Sequence, residues 1–129
     1  MIENTIVAWH ECVKTGDPLK LGRILHDDVV FHSPVVFTPQ RGKAVTSKYL
    51  LAAFQVLNGD DFTYVREVIG ATDAMLEFTT TIDGIVINGV DIIQWAEDGR
   101  ITDFKVMVRP LKAVNLLHQM MAAMLAKSS

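Results

Sequence analysis

From Phe62 onward the chain changes its hydrophobic period and keeps the new one until Pro110. FTYVREVIG, AMLEFTTTI, IVINGVDIIQW and ITDFKVMV follow one another, each rich in Val, Ile, Thr or aromatic residues. Those residue types suit a pleated, half-buried surface. Asp83-Gly84 stands between two of the stretches and Glu97-Asp98-Gly99 between the next pair. Both are hairpin signals, because a two-residue turn that matches the twist of its strands needs residues that tolerate positive φ. Strands joined this tightly lie antiparallel, since a parallel neighbour requires a long crossover.

The segment before Phe62 is patterned differently. Ile2, Ile6, Trp9 and Val13 repeat at helical spacing, and Gly16 is placed to end that helix. Asp17-Pro18 reads as an N-cap followed by proline at the first helical position; the short helix behind it presents Leu21, Ile24 and Leu25. VVFHSPV is a strand stopped by Pro34. Residues 43–57 form a helix that is apolar on more than one side and is therefore largely covered. After Pro110, LKAVNLLHQMMAAMLAK gives a terminal helix with Leu111, Val114, Leu117, His118, Met121 and Leu125 along one side. Helices first and hairpins afterwards predict an α+β domain, not a doubly wound parallel sheet.

At 129 residues the chain is expected to be a single domain, 1–129, large enough for its own core. Half of it is hydrophobic and 21% is charged, the opposite of a disordered balance. A net charge of -3 with scattered Lys and Arg offers nucleic acid no basic stripe. Cys12 is the single cysteine, which excludes an internal disulfide. The four histidines lack ligand spacing, so neither a metal nor another cofactor is expected. No apolar run reaches the roughly 20 residues of a membrane span, and the first residues do not read as a signal peptide. The expectation is a cytoplasmic protein with no membrane partner.

TGDPLKLGRILHDDVVFHSPVVFTPQRGKAV and NGVDIIQWAEDGRITDFKVMV resemble the SnoaL-like polyketide cyclase and ketosteroid isomerase branch of the nuclear-transport-factor-2-like superfamily. The likeness covers most of residues 3–109. It implies a cone: a curved mixed β-sheet wrapped around the N-terminal helices, an internal pocket, and a C-terminal helix. Ketosteroid isomerases in this branch use a carboxylate base, a tyrosine and a protonated aspartic acid. The base position before proline is Ser33 here, and a hydroxyl does not replace a carboxylate without a partner base. The tyrosine position of the first helix is Trp9, whose indole donates one hydrogen bond and accepts none. The aspartic acid is matched by Asp91. Steroid isomerisation of the usual kind is therefore not expected, and whether the protein is an enzyme stays open.

Strand alternation places Gly89, Asp91, Ile93 and Trp95 on one face and Val90, Ile92 and Gln94 on the other. With the first set inward, Asp91 is a carboxyl in an apolar pocket, held neutral by desolvation and able to donate a hydrogen bond. The alternative is a structural aspartate tied to a backbone amide or a histidine. His32 is the candidate proton carrier, although alternation points His32 and Ser33 to opposite faces. Trp9, Ser33, Trp95, Phe78 and Tyr49 are the expected pocket residues, with Tyr64 as a further aromatic candidate. His10 and His118 are assigned to surface or interface, and His26 to a helix end. The expected ligand is a small apolar molecule, either a carbonyl substrate of an isomerase, cyclase or hydratase, or a ligand that is only bound. Val90 and Ile92 on the outer face lead to an expected homodimer.

Overall fold

A computed structural model describes residues 2–128, and among these the chain forms four helices and six strands. α1 (Thr5–Thr15) starts where the Asn4 side chain accepts a hydrogen bond from Val7 N at 3.1 Å. It stops at Gly16, whose φ of 65° lets its amide close back on Cys12. α2 (Pro18–Ile24) is capped by Asp17, which accepts from Leu19 N at 2.9 Å. The chain passes from α2 directly into β1 (Leu25–His32). Leu25 therefore opens the strand instead of closing the helix. His26 likewise lies on the strand, where its Nδ1 accepts from Asp28 N, and not at a helix end.

β2 (Gln40–Arg41) and α3 (Lys43–Leu57) come next, then β3 (Thr63–Ile69), β4 (Asp73–Ile82), β5 (Ile85–Trp95), β6 (Ile101–Arg109) and α4 (Leu111–Ser128). The sheet order is β2-β1-β6-β5-β4-β3. β1 and β6 run parallel and every other neighbouring pair is antiparallel. The sheet is thus mixed, curved and unclosed, with helices on its inner side. The β4–β5 turn has Asp83 at φ 52° and Gly84 at φ 76°, the two left-handed residues expected of a primed hairpin turn.

Two apolar clusters fill the inner side. One joins α1, α2, β1 and the sheet through Trp9, Leu21, Leu25, Leu76, Ile93 and Phe104. The other seats α4 and the end of α3 on the sheet through Val56, Phe78, Ile87, Ala113 and Leu117. Burying each large apolar side chain contributes about 1.5–3 kcal/mol. Gly89 is needed where it stands, because a Cβ there would lie 2.3 Å from Phe78 Cζ. The outer face carries an apolar patch: Met75 pairs with Ile92 and Val90 with Met107, and Met75 and Met107 are each 52% exposed. No helix among the described residues is long and apolar enough to cross a membrane.

Candidate functional site

Between the two clusters lies a cavity of about 260 Å³. β4, β5 and β6 contribute Phe78, Asp91, Phe104 and Val106; α1 contributes Trp9 and Val13. α3 supplies Tyr49, Leu50, Ala53, Phe54 and Leu57, and α4 supplies Leu117, His118, Met121, Ala122 and Leu125. Ser33, Pro34, Val35 and Val36, just past β1, form part of the rim. A cavity of about 150 Å³ holds one benzene ring, and this one is less than twice that size, with room for about two rings.

Asp91 is the one carboxyl lining the cavity among the described residues, and it is only 6% exposed. It reaches this place by the alternation of β5, on which Ile87, Gly89, Asp91 and Ile93 are all buried. Its Oδ2 accepts a 2.7 Å hydrogen bond from the Tyr64 hydroxyl. The Tyr64 oxygen in turn accepts from Trp9 Nε1 at 3.0 Å. Trp9, Tyr64 and Asp91 thus form a directed chain ending on one carboxylate oxygen, and Oδ1 takes no protein hydrogen bond among the described residues. Burial pushes the Asp91 carboxyl up to about 7, against the opposing pull of the Tyr64 hydrogen bond. Burial, and then the nearby Asp91 charge, push the Tyr64 hydroxyl well above the ordinary phenol value, so it stays a donor. Near neutral pH the carboxyl is divided between a neutral form, which donates through its hydroxyl, and an ion that accepts.

The structure gathers most of the residues singled out in the sequence. Trp9, Ser33, Tyr49, Phe78 and Asp91 line the cavity. Trp9 does not offer its N–H to a ligand, because Tyr64 takes it. Ser33 Oγ accepts from Val35 N at 3.1 Å, shaping the rim and leaving its own O–H to donate.

His32 and Trp95 are corrections. His32 follows Phe31, which is buried and faces the cavity, so the imidazole lies on the opposite side of β1. There its Nε2 meets Asp103 Oδ1 at 2.9 Å, out of reach as a proton carrier for Asp91. Trp95 sits at the end of β5, beyond Ile93, which already lies past the cavity, and the register with β6 slips between Gln94 and Trp95. Its ring packs on the first apolar cluster instead.

Tyr64 and His118 carry more of the site than their sequence positions suggest. The register of β3 against β4 slips between Tyr64 and Arg66, so a simple alternation along FTYVREVIG misassigns its faces. Its pairing with Phe78 across the ladder sets its inward face, and that register is visible only in the folded sheet. His118 is exposed, as anticipated, but at the cavity rim, one residue after the buried Leu117. Among the described residues no cluster of three or more His, Cys, Asp or Glu is placed to hold a metal ion.

Fold, cavity and the position of Asp91 together define a small-molecule-pocket scaffold of the nuclear-transport-factor-2-like superfamily. The chain belongs to the SnoaL-like family, whose domain description matches residues 6–104. A steroid delta-isomerase from Pseudomonas aeruginosa superposes with a TM-score of 0.89 at 36% identity, over 96% of this chain and 90% of that one. A protein with a cystatin-like fold from Silicibacter pomeroyi, described as uncharacterized, gives 0.86 at 32% identity, over 95% and 85%. A de novo designed protein with a curved β-sheet gives 0.70 at 14% identity, over 92% and 98%, and speaks for the fold alone. Comparison with curated proteins finds no match.

Proposed function

We propose that this protein encloses a small, mainly apolar carbonyl compound and that neutral Asp91 donates a hydrogen bond from Oδ1 to its carbonyl oxygen. The observation that carries this reading is the division of labour within one carboxyl. Oδ2 is occupied by Tyr64, while Oδ1 is free on a residue that lines the cavity. The similar protein described as a steroid delta-isomerase supports a carbonyl ligand, since such an activity polarises one. Turnover of that kind also needs a proton acceptor, and position 33 holds serine. Binding with carbonyl polarisation is accordingly the reading preferred over steroid isomerisation. The same reading includes a homodimer formed through the exposed apolar outer face of the sheet.

Titration with 2-acetylnaphthalene, a ketone with no ionisable group, tests it. Wild-type affinity should be constant in mildly acid solution and fall about tenfold per pH unit above pH 7, as the donor form of Asp91 is lost. Asp91→Asn keeps an acceptor for Tyr64 and a donor for the ketone, so its affinity should be flat with pH. A pH-independent wild-type affinity, or no binding, would refute the proposal.

A further inference from the structure

The cavity rim carries an imidazole as well as the Ser33 hydroxyl. His118 lies on α4 one residue beyond Leu117, with Leu117 buried and His118 exposed, and both line the cavity. The helix thus turns an imidazole onto the rim just where its apolar side enters the pocket. His118 makes no hydrogen bond or ion pair within the described residues. His10 and His32, by contrast, are engaged by Glu67 and Asp103. The nearby rim residue Asn58 has already committed its amide N–H to Val13 O at 3.1 Å. That bond leaves Asn58 a second amide N–H, and the His118 imidazole likewise retains an N–H in either tautomer. Most of the remaining lining is apolar, including Phe54, Leu57, Phe104, Val106 and Met121, with Ser33, Tyr49, Asn58 and Tyr64 as its other polar side chains.

Resting on the carbonyl-binding reading above, we infer that the ligand is an elongated, rigid apolar molecule with hydrogen-bond acceptors at both ends. The inner carbonyl meets Asp91 and the outer acceptor, a carboxylate or hydroxyl oxygen, meets His118. A flexible chain would lose more conformational freedom on entering such a narrow apolar space, so fused or linked rings are the favoured body. His118 would then select among ligands of one shape by their distal substituent. Leaving a polar group unmatched is more costly than losing one apolar contact.

Four probes read this directly by calorimetric titration. 2-Acetylnaphthalene and 4-acetylbiphenyl carry the inner carbonyl alone; 6-acetyl-2-naphthoic acid and 4′-acetylbiphenyl-4-carboxylic acid add a distal carboxylate at two lengths. At least one acid should bind wild-type protein about 5–10-fold more tightly than its parent ketone. His118→Leu should bring the acid-to-ketone affinity ratio to about one, and a cooperative urea unfolding transition like that of wild type checks that the variant remains folded. Asp91→Leu should weaken ketone and acid alike. Neither acid exceeding its ketone, or a gain that survives His118→Leu, would overturn the role of His118 while leaving carbonyl binding intact. Failure of all four probes to bind wild-type protein would overturn both.

Discussion

The two faces of the sheet are built by the same strands and both carry apolar side chains, yet they meet different fates. On the inner face, Leu76, Phe78, Gly89, Asp91 and Ile93 are buried under helices and around the cavity. On the outer face, Met75, Val86 and Met107 are each more than half exposed, next to the partly covered Val90 and Ile92. A one-residue step along β5 therefore moves a side chain from a site where shape and protonation are tightly constrained to one where a protomer tolerates change. Polar residues such as Glu77, Asn88, Gln94 and Lys105 interrupt the outer face, and helices cover only the inner one.

The largest expected effect is electrostatic and belongs to the inner face. Asp91 titrates near 7 in the folded protein and near 3.8 when unfolded. Between those values the unfolded chain has released a proton that the folded protein keeps, so stability falls as pH rises from about 4 to about 7 and then levels off. The integrated effect is on the order of several kcal/mol. Asp61, Glu77 and Asp98 have carboxyls held below their ordinary values by hydrogen bonds, so they act in the opposite direction and only at lower pH. In urea unfolding across pH 4.5–7.5, Asp91→Asn should become progressively more stable relative to wild type. A constant difference between the two would remove the buried carboxyl from this account.

A smaller steric effect sharpens the same contrast. Gly89→Ala drives a Cβ into the Phe78 ring and should cost about 1–3 kcal/mol in chemical denaturation. Val86→Ala, on the other face of the same strand, should remain within about 0.5 kcal/mol. Equal costs would mean that the faces are not as different as their burial indicates.

The smallest change in protomer stability is expected from Met107→Glu on the outer face, within about 0.5 kcal/mol. Its consequence should appear in association instead. Wild-type protein should sediment as a dimer at micromolar concentration and the variant as a monomer, because a charge placed in an apolar contact is left unpaired. A dimer that survives the substitution would move the interface away from this face.

The sequence made the α+β architecture and the inward position of Asp91 legible, because both depend on local periods and turn chemistry. Residues 43–57 and the Asp83-Gly84 turn were similarly clear, since nothing distant competes with those signals. What escaped depended on interruptions of the period. Tyr64 is among the expected pocket aromatics and lines the cavity, but its bond to Asp91 is hidden behind the register slip of β3. Trp95 misses the cavity because β5 slips and outruns it. Alternation holds at His32: Ser33 lines the cavity and the imidazole, its neighbour, points to the other side, toward Asp103. The choice between a ligand-facing and a structural Asp91 was also too sharp. One oxygen holds Tyr64 and the other is free, so the residue belongs to both descriptions.

The pairing of β1 with β6 has a consequence in time. β1 lies between β2 and β6 in the sheet, so its long edge is completed by a strand made near the other end of the sequence. The β4–β5 hairpin can zip from its own turn, whereas β1 must wait for a distant partner and meet the entropy of closing the intervening chain. During synthesis, the buried side chains of β1 and the neighbouring helices emerge before that partner exists. The first third of the polypeptide thus passes through an interval with an open strand edge, the state most open to capture by a chaperone or by another nascent copy.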